Sequence, residues 1–394
     1  MEEMIKFEEG LKLVLDRAFS TGTETVSFLA SPGRVLASDI ISDVDLPPFN
    51  KTAVDGFACR KDDLAMELRV LEVINAGKRP EFTITEGTCS KIMTGAPVPE
   101  GADFVFMVED SEALPSGAVV FHGKSRKNNI SLRGEDVRSG DTVLGRGRII
   151  RPQDVAVMAS TGSTLITVAK MPRVGIISTG SELVEPSSRP GISQIRNSNA
   201  YQLLAQVERG GGTGRYYGIA IDDEDVTYKM LSKALEENDV VLLTGGVSMG
   251  DFDFVPGVMQ RAGIELIFDR MAVQPGKPTT FGVHTNALVF GLPGNPVSSY
   301  IQFEILVRPL FMKMMNCNWR AIEWKAPLGN SYRRKNSSRM SWIPVKIDNG
   351  GNAIPVEYHG SAHISALPEA DGIISIPIGT DFLEKGTLVN VRQI

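Results

Sequence analysis

Cysteine is nearly missing from this chain. Cys59, Cys89 and Cys317 are the whole complement, far apart and without paired spacing. That excludes a disulfide framework and the paired-cysteine zinc motifs. Histidine is almost as scarce, with four in 394 residues and none in the candidate loops of the first 140, so histidine-based acid–base chemistry is not expected. A basic excess is also absent: 41 Lys and Arg stand against 47 Asp and Glu, a formal net charge of -6, which gives no footprint for nucleic acid. No apolar run approaches the ~18 residues of a membrane span. The first ten residues, MEEMIKFEEG, are acidic rather than signal-like. The expectation is a cytoplasmic protein with neither a membrane nor a nucleic-acid partner. A hydrophobic content of 42% supports ordinary cores, and the length allows about two to four domains.

What is present centres on Val240 to Asp253, VVLLTGGVSMGDFD. Val240 to Thr244 are mostly β-branched or apolar, as in a parallel strand buried on both faces. The run stops at Gly245-Gly246, where the backbone can turn sharply and offer N–H groups to an anion. Asp251 and Asp253 follow. Carboxylates beside an anion-compatible loop make sense if a divalent cation lies between them and phosphate.

Around this stretch the texture changes several times. Phe7, Leu11, Val14, Leu15 and Ala18 recur at helical spacing. From Thr21 to Arg151 short apolar runs alternate with Gly, Pro, Ser and Asp, which reads as β-rich, with a polar loop at Lys124 to Asn129. After Pro172 the pattern becomes strand (Val174 to Ile177), helix (from Ser198, with Tyr201, Leu204 and Val207 on one face), strand (Tyr216 to Ile221), helix (Met230, Leu231, Leu235) and strand (Val240 to Thr244). That alternation predicts a doubly wound α/β sheet. Such sheets bind ligands beyond the carboxyl ends of their strands, so the Thr179-Gly180, Asp222 and Gly245-Gly246 turns should share one rim. GLPGNPVSS opens a helix running to about Met315, with Pro296 in its first turn and Asn295 as its cap. From Trp319 short strands return.

Two nucleotide signatures fail. Gly276-Lys277 ends like a P-loop, but Pro278 replaces Ser/Thr and Met271 stands where the first glycine belongs. The Gly210 to Gly218 cluster lacks the GxGxxG register and follows a helix. What remains is a distributed set: Asp55 in LPPFNKTAVDGFA, Thr94-Gly95 in MTGAPVP with Glu109 soon after, and Asp136 in RGED. Its inventory suits a carboxylate site using Mg²⁺.

Taken in order, LPPFNKTAVDGFA, IMTGAPVPEGAD, RGED, STGSEL, TGGVSMGDFD, QPGKP and GLPGNPVSS resemble one family along the whole chain. They are similar to the molybdopterin molybdenumtransferases, the MoeA type that also forms the E domain of gephyrin. The resemblance implies insertion of molybdate into adenylylated molybdopterin with release of AMP, using Mg²⁺. It assigns Asp55, Thr94, Asp136, Glu182 and Asp253 to catalysis, and Asp222 and Asp253 to Mg²⁺. Contact with substrate falls to Asp222, Thr179, Gly180, Gly245, Gly246, Ser248, Asn295, the pocket prolines Pro293 and Pro296, the anion-facing Lys277, and Ser361 of HGSAHISAL.

The family's plan divides the chain into an N-terminal helix (1–20), a connecting domain (21–43 and 139–171), an inserted β-rich domain (44–138), an α/β molybdopterin-binding domain (172–318) and a C-terminal β-barrel (319–394). It also implies a homodimer with sites shared across the interface, and transient contact with other molybdenum cofactor enzymes. The chain departs from the family at Arg270 and Gln274, where lysine is frequent, and at Lys51-Thr52. Two rival readings exist, the preceding adenylylation of molybdopterin and a scaffold of the gephyrin kind. The flanking β domains count against the first, and the lack of a long linker and second catalytic module against the other.

Overall fold

The computed structural model describes residues 4–124, 127–246, 254–356 and 363–394. Ser248, Asp251, Asp253 and Ser361 therefore lie outside the described residues. No helix among those described is long and apolar enough to cross a membrane.

The first helix, Phe7–Asp16, carries Glu8 and Glu9 in its opening turn, where they complement the helix dipole. Gly10 and Val14 are buried and Phe7, Leu11 and Ala18 pack on the main core. Phe7 also meets the edge of Trp342 at 5.4 Å, so this helix ties the α/β core to the C-terminal strands. Next, Thr23–Ser27 pairs antiparallel with Leu165–Ala169, and Ile40–Ile41 with Thr142–Leu144. Between them runs the helix Pro152–Ser160, which the sequence reading does not single out. Its start is local chemistry: Pro152 in the first turn and the Asp154 carboxylate accepting the Arg151 N–H at 2.9 Å.

The insertion between these pairings is a six-stranded sheet in the order Phe104–Met107, Gly56–Cys59, Thr88–Ile92, Leu68–Ile74, Ala118–Phe121, Ser111–Ala113. Its two ends meet where Leu46 and Val137 exchange backbone hydrogen bonds, at 2.7 and 3.1 Å. Gly56 is required here because a Cβ would run into the Phe106 carbonyl on the neighbouring strand.

The α/β sheet has the order Thr213–Ala220, Arg173–Thr179, Val240–Thr244, Leu288–Leu292, Thr280–Val283, Glu265–Phe268. The first four strands are parallel and the last two antiparallel to their neighbours. The chain leaves Arg173–Thr179 for one flank and returns through Glu224–Glu237 to the other, which makes a switch point at the carboxyl ends of Arg173–Thr179 and Val240–Thr244. Val240 to Thr244 are buried throughout, as a central strand requires.

Two expectations need correction. In the helix Asn199–Arg209 the buried side is Ala200, Leu203, Gln206 and Val207, while Tyr201 is 44% exposed. The stripe is turned by one residue because Tyr201 reaches out to Glu185 with its hydroxyl. Asn295 does hold the N-cap position of Pro296–Gln302, but its side chain makes no capping bond. That helix continues through a π turn, Phe303–Val307, into Arg308–Met314.

The C-terminal strands run Val273–Gln274, Met340–Ile347, Gly372–Ile376, Leu388–Gln393, Glu323–Pro327, with Ala353–Pro355 on the flank of Met340–Ile347. A bridge between Leu328 and Ala353 closes the circuit into a small barrel. Val273–Gln274 comes from the α/β part and pairs with Met340–Ile347, so the QPGKP loop is seated between the two units.

Candidate functional site

Strand ends build the cavity. Arg173–Thr179 delivers Thr179 and Gly180, Val240–Thr244 delivers Gly245 and Gly246, and Leu288–Leu292 delivers Pro293 and Gly294. These turns, with Glu182 and Asp222, line a cavity of about 710 Å³. That lies within the range of small-molecule sites. Asn199, which is buried, clamps the rim: its amide donates to Thr244 Oγ1 at 2.9 Å and to the Gly294 carbonyl at 2.7 Å. Asp222 and Ser181 hold each other, the carboxylate accepting the Ser181 N–H and the Ser181 hydroxyl accepting the Asp222 N–H, both at 3.0 Å.

Gly245 and Gly246 both have positive φ, +99° and +62°. A Cβ on Gly245 would collide with the Thr179 carbonyl, so glycine here brings two strand ends together. The expected pair of free amides is reduced by half. The Gly245 N–H donates to the Leu292 carbonyl at 3.1 Å, tying the turn to the next strand. Among the described residues the Gly246 N–H has no such partner.

Pro296, Asn295 and Pro293 line the cavity, and so does Pro278 of QPGKP. Lys277 does not line it; its side chain is exposed beside Pro278. The loop beneath Lys277 is firmly held. Gln302, fully buried, donates to the Pro275 carbonyl at 3.0 Å, and Thr279 donates to the Gly276 carbonyl at 2.7 Å. Ile364 also lines the cavity, so the C-terminal unit contributes a wall next to the segment carrying Ser361.

Arg196 and Asn197, absent from the sequence-based set, line the cavity too. The signal was present in QIRNSNA, a cation and two asparagines between two candidate turns. It reads as an ordinary helix start unless the rim is already in view.

A second cluster forms on the inserted sheet. Asp55 Oδ1 accepts both the Thr94 N–H and the Thr94 hydroxyl, each at 2.6 Å. These two bonds hold the Asp55 carboxyl below its ordinary pKa, the hydroxyl contributing most. RGED stands alongside: Lys51–Thr52 pairs with Ile130–Ser131, the Arg133 guanidinium contacts Asp45 at 2.5 Å, and the Asp136 N–H donates to the Leu46 carbonyl at 3.0 Å. Thus Asp55 and Thr94, far apart in sequence, meet at the ends of the neighbouring strands Gly56–Cys59 and Thr88–Ile92, while Asp136 sits at the base of the insertion against Leu46. None of the three lines the α/β cavity of the same chain.

Among the described residues no group of three His, Cys, Asp or Glu converges as a metal cage. Glu182 and Asp222 are the carboxylates of the described cavity wall. Mg²⁺ takes one or two carboxylates and completes its shell with water and substrate phosphate, so this donor set fits it.

Comparison with known proteins covers nearly all of the chain. Residues 5–162 match the MoeA N-terminal region (domain I and II), 175–313 a probable molybdopterin binding domain, and 325–394 the MoeA C-terminal region (domain IV). A molybdopterin molybdenumtransferase of Bacillus subtilis is 34% identical, the match covering 99% of this chain and 94% of that protein. One from Staphylococcus epidermidis is 33% identical over 98% and 95%. The crystal structure of a molybdopterin biosynthesis moeA protein from Pyrococcus horikoshii OT3 superposes with a TM-score of 0.87 at 32% identity, covering 100% of both chains.

Proposed function

We infer the reaction from one premise: this chain belongs to the molybdopterin molybdenumtransferase family and is an enzyme of molybdenum cofactor biosynthesis. It inserts molybdate into adenylylated molybdopterin and releases AMP, assisted by Mg²⁺. The observation that carries this reading is the cavity at the switch point, lined by the Gly245-Gly246 turn, the start of the helix Pro296–Gln302 and two carboxylates. Such a site suits a phosphate ester whose charge a cation offsets. Glu182 and Asp222 would hold Mg²⁺, with Asp253 as a further ligand. When bound, the ion neutralises charge on the pyrophosphate and favours departure of AMP.

The chain's own groups do the positioning. Asn199 and Gly245 fix the three strand ends relative to one another. Pro293 and Pro296 keep the opposite wall rigid, and Lys277 draws molybdate to the rim. Asp55, Thr94 and Asp136 act on the cavity of a second copy, in a homodimer. Support comes from exposed apolar surface on both sides of that contact: Phe49 and Leu132 beside the Asp55 cluster, and Ile195 and Ile221 beside the cavity.

The test is direct. Purified protein with adenylylated molybdopterin and Mg²⁺ should release AMP in proportion to added molybdate. AMP formation that ignores molybdate would overturn the reading. Accumulation of adenylylated pterin from ATP would favour the preceding enzyme of the pathway instead.

A further inference from the structure

We propose that Arg196 is the phosphate anchor of the cavity, gripping the phosphoryl group of the adenylylated substrate. The inference rests on the cavity being the substrate site. Among the described residues lining it, Arg196 is the only lysine or arginine, and the same lining carries Glu182 and Asp222. A pyrophosphate entering beside two carboxylates needs a positive group within the same space, and Lys277 lies outside that lining.

The guanidinium is built in place rather than left to swing. Val184 and Arg196 are partners in a short parallel pairing, Leu183–Val184 with Ile195–Arg196. The Ile195 N–H donates to the Glu182 carbonyl at 2.8 Å and the Asn197 N–H to the Val184 carbonyl at 2.8 Å, so the backbone is held before and after Arg196. That pairing is tied to the sheet in turn. Glu185 accepts hydroxyl hydrogen bonds from Tyr201 at 2.8 Å and Tyr216 at 2.9 Å, and Asn197 donates to the Tyr216 hydroxyl at 2.8 Å while accepting from Ser178 at 3.2 Å.

At the head, Arg196 Nε donates to the Ser188 carbonyl at 3.1 Å. This orients the planar group and leaves its terminal amino groups with no protein partner among the described residues. A guanidinium fixed at Nε presents parallel N–H donors, the geometry that matches two phosphate oxygens. Because backbone and Nε are already ordered, little freedom is lost on binding. Leu183 and Ile195 of the same pairing line the cavity with Arg196.

The experiment is calorimetric titration of the full chain with AMP, and separately with molybdate, for wild type, Arg196→Met and Arg196→Lys. Arg196→Met keeps the aliphatic stem and removes the charge. AMP affinity should fall by about tenfold or more and lose much of its ionic-strength dependence, with an unchanged melting temperature. Arg196→Lys should recover part of the affinity, since it restores a point charge without the fork. In turnover, KM for adenylylated molybdopterin should rise more than kcat falls. Unaltered AMP binding by Arg196→Met overturns the proposal, and so does a loss confined to molybdate. If wild type itself fails to bind AMP, it is the reading of the cavity that fails.

Discussion

Asp55 and Thr94 stand thirty-nine positions apart in sequence and touch through two hydrogen bonds at one oxygen. Both bonds favour the carboxylate over the acid, which is why Asp55 titrates below its usual value. The sign of the linkage follows. A depressed folded pKa gives stability that is fully present above the unfolded value, about 3.9, and is lost as the pH falls through the folded one. The window is therefore acidic. Thr94→Val should move the Asp55 carboxyl up toward its ordinary value in a ¹³C NMR titration, with the profile near neutrality unchanged. An Asp55 resonance that titrates identically in the variant would refute the pairing.

Lys277 is a different kind of residue, an exposed cation on a loop whose underside is buried. Lys277→Ala should raise the molybdate concentration for half activity while leaving the melting temperature nearly unchanged. Gln302 positions that loop through its bond to Pro275, and its own Oε1 is buried with no partner among the described residues. Gln302→Met keeps the volume but strands the Pro275 carbonyl, at a cost of about 1–3 kcal/mol. The molybdate requirement should rise in this variant too, now together with a lower denaturation midpoint. A Gln302→Met enzyme with wild-type molybdate dependence would show that the loop keeps its shape without the amide.

At the scale of elements, what could be read in the sequence was whatever has a period or a stop. The Val240–Thr244 strand, the glycines that end it, and the helices on either side of Thr213–Ala220 follow from burial pattern and turn chemistry alone. The switch-point cavity then follows from topology. Side-chain bonds across elements were not legible. Nothing in the local pattern says that Asn199 spans two strand ends, that Gly245 spends its N–H on Leu292, or that Tyr201 leaves the helix core to meet Glu185. Each is decided by a partner distant in sequence.

The π turn Phe303–Val307 is the strongest case of this. The run FEILV looks like plain apolar helix with one stray acid, yet Glu304 is almost completely buried. It accepts from Gln206 at 2.8 Å and Arg308 at 3.0 Å, and pairs with Arg209, so the acid locks this helix to Asn199–Arg209. Removing one member of such a group leaves a buried charge without its complement. Glu304→Gln should cost about 3 kcal/mol in urea unfolding. Because none of these four residues lines the cavity, KM for both substrates should hold at temperatures where the variant is folded. A stability loss below about 1 kcal/mol would mean that the ion pairs are no better than surface ones.

Across the whole molecule the candidate residues fall into two separate clusters. Glu182 and Asp222 line the α/β cavity, while Asp55 and Thr94 on the inserted sheet and Asp136 at its base contribute nothing to the cavity lining of their own chain. The insertion is joined to the remainder through the Leu46–Val137 crossing, an arrangement suited to reaching a second copy. A two-fold dimer would then contain two composite sites, each built from one chain's insertion and the other chain's cavity. This arrangement has a numerical consequence for variants that are inactive alone. In a mixed dimer of Asp55→Asn and Glu182→Gln chains, sites shared across the interface put both lesions in one site and leave the other intact. Sites confined to one chain leave both broken. Random re-pairing of equal amounts makes about half the dimers mixed, so shared sites restore roughly a quarter of wild-type AMP release. Size-tagged copies, separated after mixing, establish that chains have exchanged. Mixed dimers that form and remain as inactive as their parents would place each site within one chain.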